Sequence, residues 1–196
     1  MVLISQLKQL REETGISMIE CKRALEEAKG DLEKAKIILR ERGKEIIKSK
    51  EGKRTATANG LIASYIHPGG RIGVLVQLKC ETDFVARNES FQKLAHEICL
   101  QIAASCPLFI KSEDIPEELL NKEKEIYQKQ FQNSGKPEKM LNQIIEGKLA
   151  KYKKEISLLD QSWIKNENRT IKDLIDEYSF QLGEMIGIEK FIRYEI

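Results

Sequence analysis

The chain has 196 residues, 33% of them charged and 41% apolar, with 33 Lys and Arg against 31 Asp and Glu for a formal net charge of +2. That length supports a hydrophobic core with a small attachment, and the balance of charge excludes a disordered acidic or basic tail and a collagen-like repeat. No apolar run approaches the roughly 18 residues of a spanning helix, and MVLISQLKQLREETG meets charge too early for a signal-peptide core, so the sequence reads as soluble and cytoplasmic, in bacterial cytosol or an organelle matrix.

The charge is unevenly spread. Residues 1–60 hold 14 basic and 10 acidic side chains, residues 61–110 hold 4 and 4, and residues 111–196 hold 15 and 17. Two charged, helix-rich flanks therefore surround an apolar centre where buried strands are expected.

In chain order, Ser5 to Thr14 carries Leu7 and Leu10 on one helical face and meets a stop at Gly15. Ser17-Met18-Ile19-Glu20 has the spacing of a capping box, opening a helix with Met18, Cys21, Leu25 and Ala28 that stops at Gly30. Asp31 caps a third helix, with Leu32, Ala35, Ile38 and Leu39, expected to end at Gly43. Residues 1–43 thus form a three-helix module too small to bury much alone, and one that exists to touch something.

Residues 44–58, KEIIKSKEGKRTATA, are basic. Lys44, Lys48, Lys50, Lys53 and Arg54 are of the type that pairs with phosphates, but no aromatic residue is interleaved for base stacking and Glu45 and Glu51 dilute the charge. A linker is the preferred reading over an RNA-binding segment at 44–54.

Residues 59–196 read as the main domain. Leu61–Ile66 and Ile72–Cys80 are apolar runs separated by His67-Pro68-Gly69-Gly70 and Arg71, and the alternation of Ile72, Val74, Val76 and Leu78 has the period of a strand, so an antiparallel hairpin is predicted. After Glu81–Asn88 a helix places Phe91, Leu94, Ala95, Ile98 and Ile102 on one face and ends near Pro107. Pro116 starts a long helix, Asn133-Ser134-Gly135 breaks it, and Pro137 starts another through Met140 to Ile156, together a helical hairpin. Thr170 caps a last helix stopping at Gly183 or Gly187, and Ile188–Ile196 alternates as a third strand returning to the hairpin. The fold class is α+β, with a three-stranded antiparallel sheet and packed helices.

Chemistry is hard to place. No GxxxxGK[ST] loop, GxGxxG turn, GxSxG elbow or HExxH helix is present, and the acidic residues are scattered among lysines on helix faces. The four cysteines (Cys21, Cys80, Cys99, Cys106) form no CxxC pair and read as reduced thiols. His96 and Cys99 share a helical spacing but lack further ligands, so no metal site, cofactor or covalent catalysis is expected. The segment that stands out is Thr82–Asn88, which puts Phe84 among polar groups between a strand and a helix. Phe84 is either a cap on the core or an exposed anchor for a partner's pocket.

The run TDFVARN at 82–88 resembles the signature of the elongation factor Ts family, guanine-nucleotide exchange factors of the translation GTPase elongation factor Tu. The stretches LKQLREETGISMIECKRALEEAKGDLEKA (7–35), ANGLIASYIHPGGRIGVLVQLKCETDFVARN (58–88), GKPEKMLNQIIEGKLAKYKKEISLLDQ (135–161) and the closing FIRYEI resemble other parts of that family in order. The resemblance implies a ubiquitin-associated-like fold for residues 1–43 and an exchange factor that acts by binding. It favours the anchor reading: Asp83 and Phe84, flanked by Thr82 and Val85, project into the nucleotide-binding domain of elongation factor Tu near its magnesium site. Phe84 wedges between side chains there and Asp83 disturbs the groups holding the ion. Met18 and Ile19 of the N-terminal module grip another face of that domain. The chain resembles short members of the family, which are associated with homodimers, and Leu75, Tyr65 and Phe91 or Phe191 point to apolar content beyond one helix-covered side of the sheet. Neither nucleic acid nor membrane is implied as a partner. The competing readings are an RNA-binding translation accessory protein using residues 44–54 and a chaperone of the empty GTPase that does not exchange.

Overall fold

The computed structural model describes residues 4–51, 59–131 and 137–196. Caps and glycines cut the N-terminal region into three helices. The first, α1 (Ile4–Thr14), ends where Gly15 takes a φ of +68° and its N–H reaches the Arg11 carbonyl at 2.8 Å. The second, α2 (Met18–Glu27), opens at Ser17, whose hydroxyl accepts from Glu20 N at 3.3 Å. Asp31 does the same for α3 (Leu32–Glu51), accepting from Lys34 N at 3.1 Å. Leu10, Cys21, Ala24, Leu25, Ala35 and Leu39 close on one another as a small core of their own.

The expected stop at Gly43 is not made. α3 runs through it to Glu51 and takes in the first half of the segment read as a linker. Gly43 serves contact rather than termination: a Cβ there would lie 3.1 Å from the Phe180 ring, which packs against this core from elsewhere in the chain. Lys53 and Arg54 lie outside the described residues, as do the side chains of Lys44, Lys48 and Lys50.

Strand β1 (Asn59–Ile66) and strand β2 (Ile72–Cys80) pair antiparallel, Ala63 opposite Val76 and Tyr65 opposite Val74. The turn between them needs left-handed backbone at Gly69 and Gly70, with φ of +95° and +69°, which glycine adopts without steric cost. A one-turn helix, α4 (Asp83–Ala86), follows β2, then α5 (Glu89–Ser105). Phe91, Leu94, Ala95, Ile98 and Ile102 of α5 are all fully buried, the face that the sequence predicts.

Helices α6 (Glu117–Phe131) and α7 (Glu138–Ile156) pack side by side, Lys148 Nζ sitting 5.2 Å from the Tyr127 ring and 4.9 Å from the Phe131 ring. The break read at Asn133–Gly135 lies outside the described residues. A small hairpin, β3 (Ser162–Trp163) and β4 (Asn166–Thr170), then leads into α8 (Ile171–Leu182). Thr170 and Asp173 cap α8 reciprocally, and Gly183 ends it in the left-handed region. Strand β5 (Gly187–Glu195) returns to pair antiparallel with β2, giving the order β1-β2-β5.

Period-two alternation sorts the sheet into two faces. Val74, Val76, Leu78 and Cys80 point into the main core with α5 and α8, joined by Leu61, Ala63, Tyr65 and Phe191. On the other face Ile62, Ile66, Leu75, Ile192 and Tyr194 are exposed. Of the residues read as apolar content beyond the covered side, only Leu75 lies there. Tyr65 and Phe191 pack on the covered face by register, and Phe91 is buried on α5.

A candidate partner-binding edge

Thr82 leaves β2 in extended backbone and its hydroxyl accepts from Val85 N at 3.3 Å, starting α4. The turn closes through Arg87 N to Asp83 O at 3.2 Å and Asn88 N to Val85 O at 3.0 Å. Asn88 then caps α5, its Oδ1 accepting from Ser90 N at 2.8 Å. Two caps six residues apart thus set a single helical turn beside a long helix. Val85 and Ala86 pack against the main core, which turns Asp83, Phe84 and Arg87 outward.

Phe84 is 81% exposed, so it does not cap the core. An aromatic ring left in water on a fixed turn is the arrangement of an anchor: burying it against another molecule is worth about 1.5–3 kcal/mol. Asp83 is exposed and its carboxylate lies 3.3 Å from the Arg87 guanidinium.

The backbone that carries this turn is held from a distance. Glu184, one residue beyond the end-stop of α8, accepts from Glu81 N and Thr82 N at 2.9 Å each through Oε2, and from the Thr82 hydroxyl at 2.5 Å through Oε1. In return Glu81 Oε1 accepts from Met185 N at 3.0 Å. Sequence reading gives neither glutamate a role, because they are about a hundred residues apart and their pairing belongs to no local motif.

Met18 and Ile19 open α2, Met18 36% and Ile19 65% exposed. The structure sets these two on the three-helix unit and Thr82–Val85 at the end of β2, so the two sets are held by different cores. Ile37 on α3 is a further exposed apolar residue of the first unit, one the sequence reading did not select.

Among the described residues nothing else gathers reactive groups. Among the described residues no three His, Cys, Asp or Glu side chains assemble as a metal site. His96 is exposed against Tyr65, while Cys99 is fully buried in the main core. Burial pushes the Cys99 thiol up to about 11 and raises Cys21 and Cys80 as well, so these three are protonated at neutral pH; Cys106 is exposed. Among the described residues no helix is long and apolar enough to cross a membrane.

Comparison with known proteins gives a consistent picture. The family described as Elongation factor TS matches residues 6–196. The protein named elongation factor Ts of Coprothermobacter proteolyticus is 50% identical over 192 residues, covering 98% of this chain and 96% of that one. That of Moorella thermoacetica is 48% identical over 196 residues, covering 100% of this chain and 96% of its own. That of Caldanaerobacter subterraneus is 50% identical over 196 residues with the same coverage.

Proposed function

The chain belongs to the elongation factor Ts family, whose role is nucleotide exchange on elongation factor Tu, and from that premise we propose that it speeds GDP release through the outward turn at Asp83 and Phe84. The observation that carries this is the exposure of Phe84, 81%, on a turn whose other face is bound to the core. Phe84 enters the nucleotide-binding domain as a wedge. Asp83, freed from Arg87, disturbs the groups that hold the magnesium ion. Thr82 and Val85 fix the turn that presents them. The exposed Met18 and Ile19 supply a second grip on the same domain.

Linkage sets the scale. Weakening GDP binding about a thousandfold requires roughly 4 kcal/mol of coupling between the two ligands. Burial of one phenylalanine contributes roughly 1.5–3 kcal/mol. Phe84 therefore works together with the wider grip, and exchange needs no covalent chemistry from this chain. The reading puts the action in the bacterial cytosol.

The same reading makes the protein a homodimer through the uncovered face of its sheet. Five exposed apolar residues, Ile62, Ile66, Leu75, Ile192 and Tyr194, line a face whose opposite side is a core. On this reading two such faces pack against each other as a sandwich.

The deciding experiment follows fluorescent GDP leaving elongation factor Tu with and without this protein. Acceleration is expected, and Phe84→Ala is expected to slow stimulated release by about tenfold or more while weakening binding to the nucleotide-free GTPase less. Equal losses in both, or none in release, refute the wedge. Stable complex formation with no acceleration by the unaltered protein refutes exchange altogether.

A further inference from the structure

A single helical turn has too few hydrogen bonds to persist by itself, so α4 holds its shape only through what surrounds it. Its side-chain cap is the Thr82 hydroxyl, which has one hydrogen to give and lone pairs to receive with. That hydrogen goes to Glu184 Oε1 at 2.5 Å, which leaves a lone pair facing Val85 N at 3.3 Å. The second oxygen of Glu184 takes the N–H groups of Glu81 and Thr82, both at 2.9 Å. Glu81 is tied back by Met185 N to its Oε1 at 3.0 Å and by Asn59 Nδ2 to its carbonyl at 2.9 Å. One carboxylate from the α8–β5 junction thus orients the cap and pins the two peptides just before the turn.

We infer that Glu184 is a positioning residue for exchange, a brace that keeps α4 from yielding when Phe84 is pressed into the GTPase. The inference rests on the exchange reading above. A wedge displaces its surroundings only if its own mounting is stiffer than they are. Without the brace Phe84 still finds its pocket, but the turn moves in place of the GTPase. Binding is then largely kept and release is slowed, the signature of an interaction that acts in the exchange step rather than in complex formation.

The test compares Glu184→Ala, Glu184→Gln and Phe84→Ala, singly and with Glu184→Ala combined with Phe84→Ala. Glu184→Ala is expected to slow stimulated release of fluorescent GDP about tenfold while changing affinity for nucleotide-free elongation factor Tu less than about threefold. Glu184→Gln keeps an acceptor for the two N–H groups and is expected to stay within about threefold of the unaltered protein. Where Phe84 is already Ala, adding Glu184→Ala is expected to cost less than about twofold more, since the brace acts through that ring. Hydrogen exchange in the free protein gives an arm that needs no GTPase: amides of Val85, Ala86 and Arg87 lose protection in Glu184→Ala while those of Ile98 and Ile102 keep it. Unchanged protection at 85–87, or losses in release that multiply in the double variant, overturn the brace. A Phe84→Ala protein with normal release overturns the wedge, and an unaltered protein that does not accelerate release overturns exchange; both are told apart from failure of the brace because neither alters protection at 85–87 in the free protein.

Discussion

The carboxylate of Asp83 sits 3.3 Å from Arg87, but both side chains are well exposed, 53% and 82%. Such a pair adds little stability, well under about 1 kcal/mol in water. Asp83→Asn is therefore expected to leave the melting temperature unchanged and to slow GDP release only while magnesium is present; an equal defect in chelator would count against its part in disturbing the ion. Gln101 is the opposite kind of polar residue. It is fully buried on α5, the two hydrogens of its Nε2 shared among Ser105 Oγ, Gln161 Oε1 and the Ser162 carbonyl at 3.1 Å each, while its Oε1 accepts from Ile164 N at 2.9 Å. Gln161 in turn donates to the Ser105 and Glu155 carbonyls, so the knot joins α5 to the end of α7 and to β3. Gln101→Leu leaves several of these buried groups unpartnered and is expected to cost about 2–4 kcal/mol by denaturant titration. A cost within about 0.5 kcal/mol would show that water replaces the amide. Asp83 was legible because it lies in a run that resembles a family signature. Gln101 and Glu184 were not, because their partners lie far along the chain and a lone Gln or Glu has no local pattern.

At the scale of elements, periodicity served wherever a segment buries one regular face. The strand Ile72–Cys80, the apolar stripe of α5 and the Thr170 cap all stand where alternation, spacing and cap chemistry put them. The hairpin of β3 and β4 was missed because Asn166–Thr170 reads NENRT, polar throughout, and its partner is only two residues long. The end of α3 was misplaced for a different reason. A glycine after a helical run means a stop only when it turns to positive φ, as Gly15 and Gly183 do; Gly43 is not among the glycines of positive φ and instead gives room to Phe180. That ring, on α8, is an apolar side chain that the main domain contributes to the three-helix core. Phe180→Ala is expected to cost about 1–3 kcal/mol and to raise hydrogen exchange in α1–α3 while β2 and α5 stay protected. Uniform loss across both units would mean that they unfold as one, and no change would mean that the ring adds nothing to the docking.

Across the whole molecule, the division of charge corresponds to the division of burial. The low-charge centre at 61–110 supplies β1, β2 and α5, the heart of the main core, and the charged flanks supply helices that bury a narrow face or, in α6, no residue fully. Composition marked where burial lies but not which side of the sheet is left open, because side-chain alternation gives two faces and only tertiary packing covers one. The open side has Leu75 at its middle, on the central strand, opposite Ile192 and flanked by Ser64. Leu75 is 47% exposed in the single copy, so a glutamate there meets water and costs the monomer little. Between two copies the same glutamate brings two carboxylates into an apolar interface, where each must be desolvated or protonated. Light scattering of the unaltered protein at micromolar concentration is therefore expected to give twice the 22.5 kDa chain mass, and Leu75→Glu to return it to one chain with the circular dichroism unchanged. An unaltered protein of single-chain mass refutes the dimer. If Leu75→Glu then also abolishes capture of nucleotide-free elongation factor Tu, the face belongs to the GTPase, and the apolar surface that two copies were to share is instead part of the wider grip that Phe84 needs.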